Sequence, residues 1–223
     1  MLEIHVTTYN RKEITERCLT LLKQFSSNHD IHIHDDGSNE YNEEWLKGFA
    51  NKVTVSNLKE RSYGQMLVSI DQTMIKKIAE FRDSKYDFLY ECDNDVLHDP
   101  LFLDKAFELY NEYGLPVTLY KTRFHYRKSF KDIFKQASFP GCSLLLHKSH
   151  VASLSDEKLF RKYSRSWDWH IGELLQEQGL DIVCPKLSYC DHYASGGIHG
   201  ESRDIGEDVT EFLIKERIKF QST

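Results

Sequence analysis

The sequence predicts an α/β fold: a mostly parallel sheet with helices on both faces, in a single domain. Three observations predict it. In the first half, short apolar runs alternate with longer stretches whose apolar residues recur every three or four positions, an order that folds into a parallel sheet with crossover helices. Three of the short runs end in polar clusters: Thr7-Thr8-Tyr9-Asn10-Arg11, Asp35-Asp36-Gly37-Ser38 and Asp93-Asn94-Asp95. The chain has 223 residues and no internal repeat, low-complexity run or clear linker, which suits one domain with a sizeable core.

Each element has its own warrant. Leu2, Ile4 and Val6 alternate with Glu3, His5 and Thr7, the period of a strand. Asn10 is placed to cap a following helix, with Glu13 as its reciprocal partner, and Ile14, Cys18, Leu21, Leu22 and Phe25 then recur at helical spacing. Residues 31–34 form a second short strand. A helix over about 43–50 puts Trp45 and Phe49 on one face, and residues 53–55 form a third strand. Met66, Ile70, Met74, Ile78 and Phe81 define a long amphipathic helix from about Tyr63. An aromatic strand runs to Cys92, a helix spans about 100–113, and residues 116–121 read as a strand.

The second half is less regular. Residues 142–147 predict a strand, and residues 167–178 a helix ended by Gly179. Ile182-Val183 suggests a short strand. Residues 189–206 carry Gly196, Gly197, Gly200 and Gly206 with His192 and His199 and read as a loop; a last helix covers about 208–220. Residues 121–135 are basic and aromatic (Arg123, Arg127, Lys128, Lys131, Lys135), which predicts a solvated helix face or loop, or, as a functional alternative, a contact for an anionic acceptor.

Composition bounds the function. Apolar residues make up 40% and charged residues 29%, as in an ordinary globular protein. A net charge of −6 argues against nucleic-acid binding by bulk charge. No apolar run approaches the ~18 residues of a membrane-spanning helix, and the N-terminal residues lack the basic and apolar regions of a signal peptide. Cys18, Cys92, Cys142, Cys184 and Cys190 are odd in number and show no CxxC spacing, so free thiols in a reducing, cytoplasmic setting are expected.

The acidic turn is the most informative stretch. Two carboxylates one residue apart, at the end of a strand that should be buried, are costly unless something cationic satisfies them. Grouped oxygen ligands suit a hard cation such as Mg2+ or Mn2+, which suits a diphosphate in turn. The plain alternative is a polar turn. Ligands of an open parallel sheet bind at the C-terminal ends of its strands, and a nucleoside diphosphate would use all three polar ends. Tyr9 offers a face for the base, Asp36 can accept from a base N–H, Asp93 can approach the ribose, and Asp95 can approach the metal. Arg61, ahead of the long helix, can add charge at the phosphates. Arg11 and Asn94 sit in the same clusters and are counted with the nucleotide-binding residues.

In this order and separation, the three motifs resemble the GT-A glycosyltransferases of the family 2 type, over about the first 120 residues. The resemblance implies that residues 1–120 are the nucleotide-sugar-binding half of a GT-A domain. Residues 121–223 would then be its acceptor-binding half, with a C-terminal loop and helix. It implies uracil contacts for Tyr9 and Asp36, Mn2+ or Mg2+ at Asp95, and Thr7 in the nucleotide pocket. It points to Asp168, in Ser166-Trp167-Asp168-Trp169, as the base of an inverting enzyme. Two flanking tryptophans would desolvate that carboxylate and raise its pKa; the plain alternative is an acid favoured by its helix dipole. It also implies that His192 or His199, in a loop that glycines let fold over a diphosphate, completes the metal shell. His32, His34, His125, His147, His150 and His170 are read as mostly structural.

The expected function is therefore metal-dependent, inverting transfer of a sugar from a UDP-sugar to an acceptor hydroxyl. The acceptor would be a glycan, cell-surface polysaccharide or lipid-linked group, ahead of modified DNA. A nucleotidyltransferase would carry glycine after the first strand, and residues 7–11 have none. A non-catalytic sugar-nucleotide-binding module would need neither Asp168 nor the glycine-histidine loop.

Overall fold

The computed structural model describes residues 1–56, 63–121, 125, 127–162, 166–193 and 208–221. The elements run Leu2–Thr8 (β1), Lys12–Phe25 (α1), Asp30–Asp35 (β2), Glu43–Lys47 (α2), Lys52–Val55 (β3), Tyr63–Asp83 (α3), Phe88–Asp93 (β4), Val96–His98 (β5) and Phe102–Tyr113 (α4). They continue with Arg127–Phe130 (β6), Ile133–Gln136 (β7), Ser143–His147 (β8), Lys148–Val151 (α5), Asp156–Leu159 (α6), Trp167–Glu177 (α7), Ile182–Pro185 (β9), Cys190–His192 (β10) and Glu211–Gln221 (α8).

The central sheet has the order β3-β2-β1-β4-β8. Its first four strands are parallel, and β8 runs antiparallel against β4. Side-chain alternation builds a core on each face. Ile4 and Val6 of β1, Ile31 and Ile33 of β2, and Tyr90 and Cys92 of β4 pack with Leu19 and Leu22 of α1 and Ala106 and Leu109 of α4. On the opposite face, Leu89 of β4 and Leu144 and Leu146 of β8 pack with Met74, Ile75, Ile78 and Phe81 of α3 and Leu174 and Leu175 of α7. The mainly parallel sheet with helices on both faces is the architecture of the GT-A fold.

The α3 face is polar over β1 and β2. Lys77 of α3 and Glu91 of β4 form an ion pair of 2.9 Å with each side chain only 1% exposed. The Thr7 hydroxyl bonds to both, 2.7 Å from Lys77 Nζ and 3.1 Å from Glu91 Oε1. Beside them lie His5, His32 and His34, all buried. Burial pushes His32 down to about 3, and holds His34 far below the ordinary imidazole value with Lys77 adding to it.

Three expectations are corrected. Asn10 does not cap α1: the cap residue is Arg11, in a left-handed conformation and without a side-chain cap bond. The Asn10 side-chain oxygen instead accepts from the Asn39 N–H at 2.9 Å. Residues 116–121 do not form a strand. Val117 makes single bridges to Leu145 and Val183; beyond it the Leu119 carbonyl accepts from Tyr189 N–H, while side chains take the N–H groups, Ser143 Oγ accepting from Leu119 and Ser188 Oγ from Lys121. Among its described residues, the basic aromatic segment is not helical and is strand from Arg127 on. It contains an antiparallel hairpin, β6 and β7, turning at Lys131 (φ 51°) and extended by β9. Gly179 closes α7 at φ 75°, as expected. The five cysteines are free and buried. Among the described residues no helix is long and apolar enough to cross a membrane.

Candidate functional site at the strand ends

The register sets the ends of β1, β2 and β4 side by side: Thr8 pairs with Asp35, and Thr7 with Asp93. At β2, Asp35 builds the turn and Asp36 is left over. Asp35 accepts from Thr8 Oγ1 at 3.0 Å, from the Ser38 N–H at 3.0 Å and from the Ser38 hydroxyl. Ser38 Oγ in turn accepts from the Asn10 N–H at 2.8 Å, locking the two loops together. Gly37 takes φ 84°, a conformation that a side chain would strain. Asp36 is 1% exposed and accepts a 3.3 Å bond from Ser56 at one oxygen; its other oxygen is buried with no partner. Burial pushes this carboxyl up to about 6. A buried carboxylate oxygen with nothing to accept from, at the mouth of a sheet, is a place for a ligand donor.

At β1, Asn10 (φ 50°) and Arg11 (φ 59°) are consecutive non-glycine residues in the left-handed region. Each such residue costs on the order of 1 kcal/mol or more and persists only where neighbours hold it. The holders are identifiable: Arg11 donates to Asp95 Oδ2 at 2.7 Å and to Asn94 Oδ1 at 3.2 Å. Asn94, 3% exposed, bonds further to the Asn10 carbonyl and the Thr15 hydroxyl, and its N–H donates to the Thr7 carbonyl. So Asn94 and Arg11 tie the β1 loop to the end of β4. Thr7 offers this region its carbonyl, while its hydroxyl serves the Lys77–Glu91 pair. Tyr9 is half-buried in the loop.

The acidic turn is completed from far along the chain. β10 pairs antiparallel with β5, setting His192 opposite Val96. Tyr193 N–H donates to the Asp95 carbonyl at 2.7 Å, and His192 Nε2 lies 2.9 Å from Asp95 Oδ2. Arg217 of α8 grips Asp191 at 2.7 Å and anchors this ribbon from behind. Asp93, Asp95 and His192 each place one ligand atom within 4.8 Å of the others. Loss of water pushes Asp93 up to about 7, with the charge of Asp95 adding to it. Burial acts on Asp95 the same way, but His192 and Arg11 together hold it below the ordinary carboxylate value. Asp95 Oδ1 is buried and has no partner. Two carboxylates, one with an unused buried oxygen, and an imidazole fit a hard divalent cation.

Asp168 lies in the first turn of α7, largely buried, and accepts from the Ser166 hydroxyl. Local packing fixes that turn. Trp167 meets Phe139 edge-on at 5.4 Å, and a Cβ at Gly141 would come within 3.2 Å of the same indole. Trp169 stacks on His125 at 5.2 Å. Because Cys92 pairs with Ser143, the segment 139–143 enters β8 beside the end of β4. That brings the start of α7 to the same edge of the sheet as the acidic turn. Arg61 and His199 lie outside the described residues.

Sequence reasoning missed two parts of the site. The Arg11–Asp95 pair joins residues 84 apart in the chain and has no sequence signal. The β5–β10 ribbon has strands of three residues, too short for an alternation to show.

Residues 3–67 match the sequence model of glycosyl transferase family 2. A stretch of 111 residues, 48% of this chain, is 28% identical to a chondroitin synthase from Escherichia coli, and covers 15% of that protein's length.

Proposed function

We propose that the chain is a GT-A glycosyltransferase of the family 2 type, and that it transfers a sugar from a UDP-sugar to an acceptor hydroxyl with inversion, in a metal-dependent reaction. The observation that carries this reading is that an unpartnered Asp36 oxygen and the Asp93–Asp95–His192 cluster lie at the same edge of the sheet, on the ends of β2 and β4 that flank β1. Asp36 accepts the uracil N–H, Tyr9 lies against the base, and Asp93 serves the ribose. Asp95 and His192 would hold Mn2+ or Mg2+, with His199 as a further candidate ligand. Bound there, the cation supplies positive charge for the departing diphosphate. Arg11, paired with Asp95 in this structure, and Arg61 add cationic charge on the phosphate side.

Asp168 takes the proton of the acceptor hydroxyl as that oxygen attacks the anomeric carbon; the bond from that carbon to the diphosphate oxygen breaks on the opposite face. The likeness to a chondroitin synthase favours a glycan acceptor. A cytoplasmic site of action is part of the same reading, since the five cysteines stand as free thiols.

Two results are expected. UDP is released from a UDP-sugar with Mn2+ and not in EDTA; release undiminished by EDTA would remove the metal from the reading. Asp36→Ala weakens UDP binding roughly ten- to hundredfold, the worth of a charge-assisted hydrogen bond, measured by calorimetry. Unchanged UDP affinity would sink the base contact.

A further inference from the structure

The sheet carries a second cluster of metal-ligating side chains, away from the acidic turn. His5 of β1 pairs in register with His32 of β2, and His34 is paired with Thr7. Alternation turns all three onto the α3 face, where Thr7 meets Met74 and Lys77. They are 2%, 2% and 6% exposed. Their ring centroids lie 5.0, 4.9 and 3.8 Å apart, and one ring nitrogen of each falls within 4.8 Å of those of the other two.

Three buried imidazoles in contact are an unusual use of a sheet interior, and their hydrogen bonding is incomplete. His5 Nδ1 and His34 Nε2 are buried with no partner. The other nitrogen of His5, Nε2, lies 2.9 Å from the Glu3 carboxylate, and His32 Nε2 lies 2.9 Å from the Thr54 hydroxyl. A carboxylate holding one imidazole nitrogen as N–H leaves the opposite nitrogen with its lone pair, the arrangement that orients histidine ligands around a metal. The neighbouring cation, Lys77, is occupied by Glu91 and Thr7.

From this juxtaposition we propose that His5, His32 and His34 form a binding site for a borderline transition-metal dication of the Zn2+ class, pinning β1 to β2 beneath α3. An all-imidazole set selects against the hard Mg2+ or Mn2+ that suits the acidic turn, so the two centres are chemically distinct. Zn–N bonds of about 2.0–2.1 Å place tetrahedral nitrogens roughly 3.3 Å apart, so nitrogens now within 4.8 Å of one another close by at most about 1.5 Å on binding. The site rests on the three histidines alone and stands whatever reaction the acidic turn supports.

The test uses untagged chain stripped with a chelator and titrated with ZnCl2. To silence the acidic turn, the titration is made on Asp95→Asn. One Zn2+ per chain is expected, with an X-ray absorption first shell containing three imidazole nitrogens. Glu3→Gln in the same background, which leaves all three ligands in place, weakens zinc binding by about 10–100-fold, and His34→Asn weakens it further. Failure of folded Asp95→Asn to take up zinc overturns the proposal, as does an oxygen-dominated first shell. Zinc affinity unmoved by Glu3→Gln and by a folded His34→Asn overturns it too.

Discussion

Asp168→Asn lowers glycosyl transfer by roughly 10²–10⁴-fold, the usual contribution of a positioned general base, while UDP binding stays within about twofold of the parent. The amide fills the same space in the first turn of α7 but takes no proton. Trp167, held on Phe139 and Gly141, keeps that turn where it is. In the proposed site, the nucleotide is held by strand ends that the substitution does not touch. Turnover with a UDP-sugar and acceptor, alongside UDP calorimetry, separates the outcomes. Full turnover in the variant removes Asp168 as the base and with it the argument for inversion. Loss of UDP binding would instead show that Asp168 shapes the donor pocket.

The second large effect is on stability. Lys77→Met destabilises the protein by about 3–5 kcal/mol, because it leaves Glu91 as a buried, unpaired charge in contact with the Thr7 hydroxyl. For a chain of this size that corresponds to a fall of roughly 6–20 °C in Tm. Lys77→Met combined with Glu91→Met recovers most of the loss, since a buried ion pair can be exchanged for well-packed apolar side chains at little net change. Thermal denaturation of the single and double variants reads both. A single variant that melts within a degree of the parent would show that Glu91 takes up a proton or finds another partner at no cost.

How much could be read from the chain in advance follows from which interactions are local. The strands β1, β2 and β4 announce themselves through alternation or apolar runs, and their polar ends mark the edge of the sheet where ligands bind. The Asp35–Ser38 turn is legible because Gly37 and Ser38 are needed where they stand. Asn10 shows the limit. Its residue type favours a helix cap, but a tertiary bond from Asn39 claims its oxygen, and the helix starts one residue later. The 116–121 segment is apolar enough for a strand, yet it is wedged where pairing lasts one residue on each side. Lys77 and Glu91 belong to a helix and a strand whose pairing only the fold decides. His32 and His34 read as structural for the same reason: β1 must lie beside β2 before His5 joins them.

The β5–β10 ribbon has a consequence for how the protein comes into being. His192 reaches Asp95 only after β10 docks, and β10 is braced by Arg217 of the last helix. Contacts between residues so far apart form late, since loop closure must precede any gain from them. A chain emerging from synthesis can assemble the β1–β4 sheet and its acidic turn well before its histidine arrives. The side chains of Asp93, Asp95 and His192 thus come together only once residues 190–217 have joined the fold, and their juxtaposition would report that this segment has docked.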